Sequence, residues 1–235
     1  MNIGENTFIH QTCLISKSAK IGSFCVIEEG VKIGNNCVIG NFSHLKRNTV
    51  IGDDIELKNH VFLDENIKIG NNTIIESFTI IKSNVSLSSN INIGSNTILH
   101  KDSFYGSGNQ IGSYCELGNG LKVGNDNIIQ GRIRTGDFCT IHDKVTIKYG
   151  TILTSRVLLE DNCFLGPNVI TLGSTHKRVT VHGTIIGKNT YIGAGCKIAG
   201  GIIISENITT GALSFVNKDL KESGVYVGVP CKKIK

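Results

Sequence analysis

The sequence has no tryptophan, two prolines and one methionine among its 235 residues, and it has no run of 18 apolar residues. Without such a run we expect no membrane-spanning helix, and the N-terminus lacks the basic and apolar segments of a signal peptide. Scarce proline together with 28 glycines favours short strands and turns over helices. The absence of any Cys-x2-Cys pair argues against a structural zinc site.

The dominant feature of the sequence is a six-residue period. Every sixth residue from Ile3 to Thr171 is aliphatic, except Tyr105, Thr135 and Thr171 itself. A helical face repeats every 3.6 residues and a plain strand every 2, so a strict period of six indicates short strands joined by regular corners. Three such sides close one coil, and the period therefore predicts an all-β parallel solenoid.

Seven of the eight cysteines occupy one position of this repeat, four residues after the aliphatic: Cys13, Cys25, Cys37, Cys115, Cys139, Cys163 and Cys196. Other hexads have a small residue there, so the chain uses cysteine as a small buried side chain. No two of the seven are one coil of 18 residues apart, so we expect free thiols and a reducing cytoplasm. A serine at Cys25 or Cys163 is expected to bury a hydroxyl with poor partners and to destabilise the fold.

The period is interrupted once, after Thr171, and it resumes out of phase at Ile186. It then continues to Val216 and is followed by a polar segment and a short strand-like tail. We therefore predict a solenoid of about eleven coils over residues 1–217. A loop is inserted near residues 172–185, and residues 218–235 form a C-terminal extension. His176 lies in the loop, which makes the loop the candidate catalytic segment.

The net charge of +5 is modest, and the basic residues are scattered except for Lys232, Lys233 and Lys235 near the end of the chain. This distribution does not indicate nucleic-acid binding. An anionic small molecule is the more suitable ligand.

Two segments resemble those of the hexapeptide-repeat acyltransferases: Gly166-Pro167-Asn168-Val169 followed by His176, and the tail from Tyr226 to Ile234. That family is built on a left-handed parallel β-helix and moves acyl groups from coenzyme A. In its galactoside and maltose acetyltransferase branch, a histidine at this distance from the proline is the general base. The resemblance therefore implies His176 as catalytic base, acetyl-CoA as acyl donor, and active sites between the subunits of a homotrimer.

The resemblance also implies a set of donor-binding residues, and it implies no metal. Two alanines match coils whose small residues let pantetheine lie along the backbone. An Asn-Lys pair matches the family's Thr-Lys-Asp step, and two tail lysines can neutralise the phosphates of coenzyme A. The residues are, in that order, Ala194, Ala212, Asn217, Lys218, Lys232 and Lys235.

Acyl transfer needs a general base, and the chemistry of the reaction explains why a histidine suits position 176. An alcohol has negligible alkoxide at neutral pH and a sugar ammonium has no free lone pair, so either acceptor needs a base near the operating pH. Imidazole has such a pKa, and the protonated His176 can pass its proton to the leaving thiolate. A thioester is already activated, so Cys231 is not needed as a nucleophile.

Several functions stay open at this stage. A long repeat resembles the enzymes that acylate the amino group of nucleotide-linked sugars, so we predict that acceptor, with O-acetylation of a sugar or polysaccharide unit as the alternative. A gamma-type carbonic anhydrase shares the fold and binds zinc through three histidines, for which His142, His176 and His182 are the candidates. The His-x5-His spacing departs from the His-x4-His pair of that family. A non-catalytic solenoid is the remaining alternative.

Overall fold

The computed structural model describes residues 2–175, 177, 179–181 and 183–235. They divide into two compact units, with the boundary between Cys115 and Glu116. Both units are built from very short strands. The described residues include no helix long and apolar enough to cross a membrane.

In the first unit the described residues form 19 strands of two residues each. They are β1 (Asn2–Ile3), β2 (Phe8–Ile9), β3 (Leu14–Ile15), β4 (Lys20–Ile21), β5 (Val26–Ile27), β6 (Lys32–Ile33), β7 (Val38–Ile39), β8 (His44–Leu45), β9 (Val50–Ile51), β10 (Glu56–Leu57), β11 (Phe62–Leu63), β12 (Lys68–Ile69), β13 (Ile74–Ile75), β14 (Ile80–Ile81), β15 (Ser86–Leu87), β16 (Asn92–Ile93), β17 (Ile98–Leu99), β18 (Phe104–Tyr105) and β19 (Gln110–Ile111).

Each strand from β1 to β16 pairs in parallel with the strand three further along the chain, as β4 does with β7. Lys20 is opposite Val38 and Ile21 is opposite Ile39, which sets the register at 18 residues. Three hexads therefore make one turn, and consecutive strands belong to three different sheets. The solenoid predicted from the six-residue period is confirmed.

In the second unit the described residues form 18 strands. They are β20 (Glu116–Leu117), β21 (Lys122–Val123), β22 (Ile128–Ile129), β23 (Arg134–Thr135), β24 (Thr140–Ile141), β25 (Thr146–Ile147), β26 (Ile152–Leu153), β27 (Leu158–Leu159), β28 (Phe164–Leu165), β29 (Ile170–Thr171), β30 (Ile185–Ile186), β31 (Tyr191–Ile192), β32 (Lys197–Ile198), β33 (Ile203–Ile204), β34 (Ile208–Thr210), β35 (Phe215–Val216), β36 (Gly224–Gly228) and β37 (Cys231–Lys233).

The register of the second unit changes once. Thr140 is opposite Leu158, 18 positions on, whereas Leu158 is opposite Ile185, 27 positions on. The nine additional residues lie between β29 and β30, where the sequence loses its period. After β35 the chain adds β36, which runs parallel to β34, and β37, which is antiparallel to β36. Counted over the described residues, the two units contain about 12 turns, close to the predicted eleven.

The aliphatic residues of the six-residue period line the inside of each coil. Ile27, Leu45 and Leu63 have no exposed surface. The corners between strands carry residues with positive φ, such as Asn48 at 60° and Asn66 at 59°. Asparagine adopts this conformation at lower cost than bulkier residues. The Asn48 amide also donates to Asn66 Oδ1 of the next turn at 3.3 Å, so corners as well as strands connect successive turns.

The cysteine position of the repeat makes a specific hydrogen bond. Cys25 Sγ donates to the carbonyl of Gly40 at 3.1 Å, and Cys163 Sγ donates to the carbonyl of Gly187 at 3.0 Å. Burial raises the pKa of the Cys163 thiol to about 12, so the donor proton is retained at neutral pH. All eight cysteines are free, and Cys13 is the one that is not fully buried.

Hydroxyl side chains make the same bond at the same position of other hexads. Ser43 Oγ donates to the Lys58 carbonyl at 3.3 Å, and Thr190 Oγ1 donates to the Ser205 carbonyl at 3.0 Å. The expectation that serine would find poor partners there is therefore wrong. The position provides an acceptor in the next turn, which the sequence pattern does not reveal.

We predict that Cys163→Ser preserves this bond and lowers the free energy of unfolding by less than about 1 kcal/mol. Cys163→Ala removes the donor from a buried carbonyl and should cost about 1 to 3 kcal/mol. Urea unfolding of both variants at neutral pH measures the difference. An equal loss of stability in the two variants would contradict the assigned hydrogen bond.

Candidate active site

The segment that interrupts the repeat folds back on itself. The N–H of Thr175 donates to the Val179 carbonyl and the N–H of Val181 donates to the Gly173 carbonyl, each at 2.9 Å. The segment also packs closely on the following turn, because a Cβ built at Gly200 would lie 3.0 Å from Val181 Cβ. The described part of this segment is therefore a hydrogen-bonded excursion that contacts the helix.

His176, the predicted catalytic base, lies outside the described residues, as do Arg178 and His182. The role of His176 stays a prediction. The carbonic anhydrase alternative needs both His176 and His182, so its zinc site also lies outside the described residues. Within the described ranges, no group of three or more histidine, cysteine, aspartate or glutamate side chains could hold a metal ion.

The Pro167-Asn168 step is a corner that the next turn holds in place. The N–H of Gly195 donates to the Pro167 carbonyl at 2.8 Å, and Lys197 Nζ donates to the Asn168 carbonyl at 3.2 Å. Asn168 has a φ of 58°, like the other corner asparagines. Pro167 therefore begins a column of corner residues that continues through Ala194 on the next turn.

A glycine precedes this corner on three successive turns, at Gly166, Gly193 and Gly211. A Cβ at Gly166 would lie 2.6 Å from the nitrogen of Ala194, and one at Gly193 would lie 2.6 Å from the nitrogen of Ala212. The turns thus approach each other through main chain alone. Ala194 is half-buried and Ala212 is exposed, so this glycine-alanine strip is open at the surface.

Three corner N–H groups at the equivalent position in the first unit are capped by side chains. The N–H of Glu5 donates to Ser23 Oγ at 3.2 Å, the N–H of Ser23 to Asn41 Oδ1 at 2.8 Å, and the N–H of Asn41 to Asn59 Oδ1 at 2.9 Å. Each acceptor belongs to the residue 18 positions further along the chain. Ser23, Asn41 and Asn59 therefore satisfy the backbone of the preceding turn.

The glycine-alanine strip lacks these caps. The residue 18 positions after Ala194 is Ala212, whose methyl group cannot accept a hydrogen bond. Neither the N–H of Ala194 nor that of Ala212 has an acceptor among the described residues. Unpaired backbone donors at a surface bind water or a ligand oxygen. Two such donors about 4.8 Å apart on successive turns suit an extended ligand that carries amide carbonyls.

The C-terminal tail forms a cavity of about 360 Å³ with a positive lining. Lys233 in its wall is paired with Glu222 at 2.9 Å, and this hydrogen bond lowers the pKa of the Glu222 carboxyl. Three other lysines of the wall have no ion pair among the described residues. The lining residues are Lys218, Asp219, Leu220, Lys221, Glu222, Tyr226, Cys231, Lys232 and Lys233. Unpaired ammonium groups around a cavity favour a phosphate-bearing ligand.

The glycine-alanine strip and the basic cavity are directly connected. The N–H of Gly211 donates to the carbonyl of Tyr226 at 2.8 Å, which binds the strip to the wall of the cavity. Two of the six predicted donor-binding residues, Ala194 and Ala212, therefore lie on the strip, and two others, Lys218 and Lys232, line the cavity.

The other two predicted residues do not line the cavity. Asn217 is exposed, and the Lys235 carbonyl accepts a hydrogen bond from the N–H of Val225 at 3.0 Å. Cys231 does line it, and burial raises the pKa of its thiol. A raised pKa disfavours the thiolate, as expected for a residue that is not a nucleophile.

His142 is the one histidine of the second unit within the described ranges. Its Nδ1 lies 3.8 Å from Asp161 Oδ1, which is too long for a hydrogen bond. The Asp143 N–H donates to Asp161 at 3.1 Å, and Lys188 Nζ lies 3.2 Å from the same carboxylate. These contacts lower the pKa of Asp161 and keep it ionised. The His142 side chain is exposed and that of Asp161 is partly exposed, and they do not form an oriented catalytic dyad.

The chain consists of six-residue units stacked in parallel register. It is therefore a hexapeptide-repeat protein with a parallel β-helix fold. It superposes on a UDP-N-acetylglucosamine acyltransferase from Arabidopsis with a TM-score of 0.55 and 16% sequence identity, over 96% of this chain and 73% of that one. This match confirms the left-handed β-helix expected from the family resemblance.

Other comparisons cover parts of the chain. Residues 3–102 match the family model of the GMPPB C-terminal domain. The chain is 37% identical over 65 residues to the serine acetyltransferase of Synechococcus elongatus, a segment that spans 28% of this chain and 27% of that enzyme. A weaker structural match is PerB from Caulobacter crescentus in complex with CoA and GDP-perosamine, with a TM-score of 0.42 and 16% identity over 71% of this chain and 72% of that one.

The uncapped N–H of Ala194 leads to a test. Ala212→Ser should cap it, as Ser23 caps Glu5, and remove one donor from the ligand surface. Because one hydrogen bond contributes about 1 kcal/mol, we expect coenzyme A to bind about five-fold more weakly in isothermal titration calorimetry, with no loss of thermal stability. Ala212→Cys is the matched control, since sulfur is similar in size but a weak acceptor. Equal affinities for the serine variant and the wild type would refute the role of this N–H.

Proposed function

We propose that this protein is an acetyltransferase that moves an acetyl group from acetyl-CoA to the amino group of a nucleotide-linked amino sugar. The observation that carries the proposal is that the strip with the uncapped N–H groups of Ala194 and Ala212 is hydrogen-bonded, through Gly211 and Tyr226, to the wall of the basic cavity of the tail. The strip and the cavity match the two parts of coenzyme A, an extended arm with amide groups and a phosphorylated nucleotide. The similarity of a segment to serine acetyltransferase supports this class of reaction.

The donor site in this proposal contains the glycine-alanine strip and the lysines of the tail. Ala194 and Ala212 accommodate the arm, and Lys218 and Lys232 face the phosphates. Asn217 and Lys235 complete the site from outside the cavity. Residues 218–235 thus act as an extension that closes the coenzyme A site.

His176 is the general base of the proposed reaction. It accepts a proton from the acceptor amine as the amine nitrogen attacks the thioester carbonyl carbon and forms the new C–N bond. The C–S bond then breaks, and the proton passes from His176 to the departing thiolate, so the enzyme ends in its starting protonation state. A backbone N–H aimed at the oxyanion contributes about 3 kcal/mol to such a step.

The acceptor is inferred from the length of the repeat and from the fold match. A UDP-N-acetylglucosamine acyltransferase, the match with a TM-score of 0.55, aligns with 96% of the chain. This supports a nucleotide sugar as acceptor. We further propose a homotrimer in which neighbouring subunits complete each site.

The activity test is release of free thiol from acetyl-CoA in the presence of a panel of nucleotide-linked amino sugars. Mass spectrometry of the product before and after mild alkali separates an amide, which survives, from an ester, which is hydrolysed. Ester formation would replace the proposal with sugar O-acetylation. No thiol release together with stoichiometric bound zinc would replace it with a carbonic anhydrase.

We predict that His176→Ala lowers turnover by a factor of about 10² to 10⁴, the usual contribution of a general base. Affinity for acetyl-CoA and thermal stability should stay close to those of the wild type. The matched control is His142→Ala, which removes an exposed histidine of the same unit and should leave turnover unchanged. A His176→Ala enzyme with wild-type turnover across the pH range would exclude this residue as the base.

We predict that Lys218→Ala and Lys232→Ala each raise the KM for acetyl-CoA by a few-fold, since an exposed ion contact contributes roughly 0.2 to 1 kcal/mol. The effect should grow at low salt, where charges are less screened, and the KM for the acceptor should not change. Lys235→Ala, whose side chain does not line the cavity, should have a smaller effect. Lys188→Ala on another corner is the control, and a response equal to that of Lys232→Ala would make the effect non-specific.

A further inference from the structure

One outer face of the first unit carries an ordered pattern of side chains. Strands β5, β8, β11 and β14 pair in this order, and each contributes a row of three outward residues with its flanking positions. We call these twelve residues the three-column face. Its rows are Phe24, Val26 and Glu28; Phe42, His44 and Lys46; His60, Phe62 and Asp64; and Phe78, Ile80 and Lys82.

The first column is a stack of aromatic rings along a corner. Ring centroids are 5.0 Å apart from Phe24 to Phe42, 4.8 Å from Phe42 to His60, and 4.7 Å from His60 to Phe78, with planes within 7° of parallel. The three phenylalanines are 50%, 51% and 55% exposed. The faces of the rings cover one another, so their edges form a continuous apolar strip at the surface.

These rings occupy an unfavourable backbone position. Phe24, Phe42 and Phe78 have φ values of 58°, 58° and 62°. Bulky residues adopt this region less readily than asparagine, which fills the equivalent corner positions Asn48 and Asn66 of the same unit. Half-exposed aromatic side chains in strained positions are therefore poorly explained by the stability of the coil alone. They indicate a surface that is covered in the assembled protein.

The second column is mainly apolar, and the third alternates in charge. Down the face the third column reads Glu28, Lys46, Asp64 and Lys82, with signs negative, positive, negative and positive. Lys46 Nζ lies 2.8 Å from Asp64 Oδ1, and Glu28 Oε1 lies 2.6 Å from His44 Nε2. These contacts hold the charged side chains in register beside the apolar columns.

This pattern is complementary to itself in one orientation. Consider two copies packed face to face about a two-fold axis that lies in the face, along the strands, between the rows of Phe42 and His60. Each column then meets the same column in reverse order. In the first column aromatic rings meet aromatic rings. In the second, Val26 meets the partner's Ile80 and the His44 ring meets the partner's Phe62. In the third, every charge meets its opposite: Glu28 faces the partner's Lys82, and Lys46 faces the partner's Asp64.

The parallel alternative does not give this match. A two-fold axis along the coil would place the aromatic column of one copy against the charged column of the other, which buries charge against apolar rings. We therefore propose that a second copy of this chain docks antiparallel on the three-column face. The inference goes beyond the proposed acetyl transfer and does not depend on it.

The rows at either end extend the same match. Asn6, Phe8 and His10 precede the face, and Asn96, Ile98 and His100 follow it. Under the same axis, asparagine meets asparagine, phenylalanine meets isoleucine, and histidine meets histidine. Six rows at 4.8 Å spacing give about 450 Å² of each copy, which lies below the usual size of a stable interface, so we expect a concentration-dependent association.

The first test removes the aromatic column. The triple variant Phe24→Asn, Phe42→Asn and Phe78→Asn places at these corners the residue that Asn6 and Asn96 already provide in the same column, so the coil should fold. Sedimentation equilibrium of the full chain over a range of concentrations measures its mass. We expect the largest wild-type species to have twice the mass of the largest species of the triple variant.

The matched control is Phe138→Asn. Phe138 is 59% exposed with a φ of 58°, but it lies on a corner of the second unit outside the three-column face. The Phe138→Asn variant should sediment like the wild type, and circular dichroism melting should show that all variants are folded. The proposal is overturned if the mass of the wild type never doubles with concentration, or if the mass of the triple variant doubles equally. This holds whatever other assembly the chain forms.

The second test addresses the orientation. K46D places two negative charges opposite each other in the antiparallel contact and should weaken association at least ten-fold. The double variant K46D/D64K restores both the contact within the chain and the contact between copies, so association should return. Failure of the double variant to recover, while both variants melt like the wild type, would exclude the antiparallel arrangement.

Discussion

Hydrogen bonds between successive turns are the constraint from which the rest of this structure follows. A two-residue strand cannot be stable alone, and its partners lie on the turns above and below, as the N–H of Lys20 donates to the Cys37 carbonyl at 2.8 Å. Every turn must therefore hold the same number of residues. The 27-residue step from Leu158 to Ile185 satisfies this rule by placing nine residues outside the coil, so the helix continues while the candidate catalytic segment is free to differ.

The corners determine which parts of the surface are available to ligands. At Ser23 and Asn41 the oxygen of the corner residue accepts the N–H of the preceding turn and closes the surface there. Where the corner residue is Ala194 or Ala212, the same N–H groups stay open. In the proposed donor site, binding capacity would thus arise from the removal of a structural hydrogen bond and not from the addition of a reactive group. In the same proposal the basic tail adds the positive charge that favours an anionic ligand.

The aromatic corner of the first unit also departs from the usual corner residue, but here the side chain is larger and not smaller. Phe24, Phe42 and Phe78 replace the asparagines that suit a positive φ, and the coil tolerates them because the rings stack at the spacing of the turns. A regular repeat therefore carries two specialised surfaces without any change of fold. One lies where caps are missing, and the other lies where corner residues are larger than the backbone prefers.

The spacing of aliphatic residues from Ile3 to Val216 was sufficient to predict a parallel solenoid, because only a coil of three short sides repeats every six residues. Sequence spacing also located the inserted segment, and the resemblance to a known family pointed to the small residues Ala194 and Ala212 and to the lysine tail. The bond from Cys163 to the Gly187 carbonyl, the uncapped N–H groups and the cavity lined by Lys218 and Lys232 depended on contacts between residues distant in the sequence. Such contacts exist only once the turns are stacked, so only the tertiary structure could decide them.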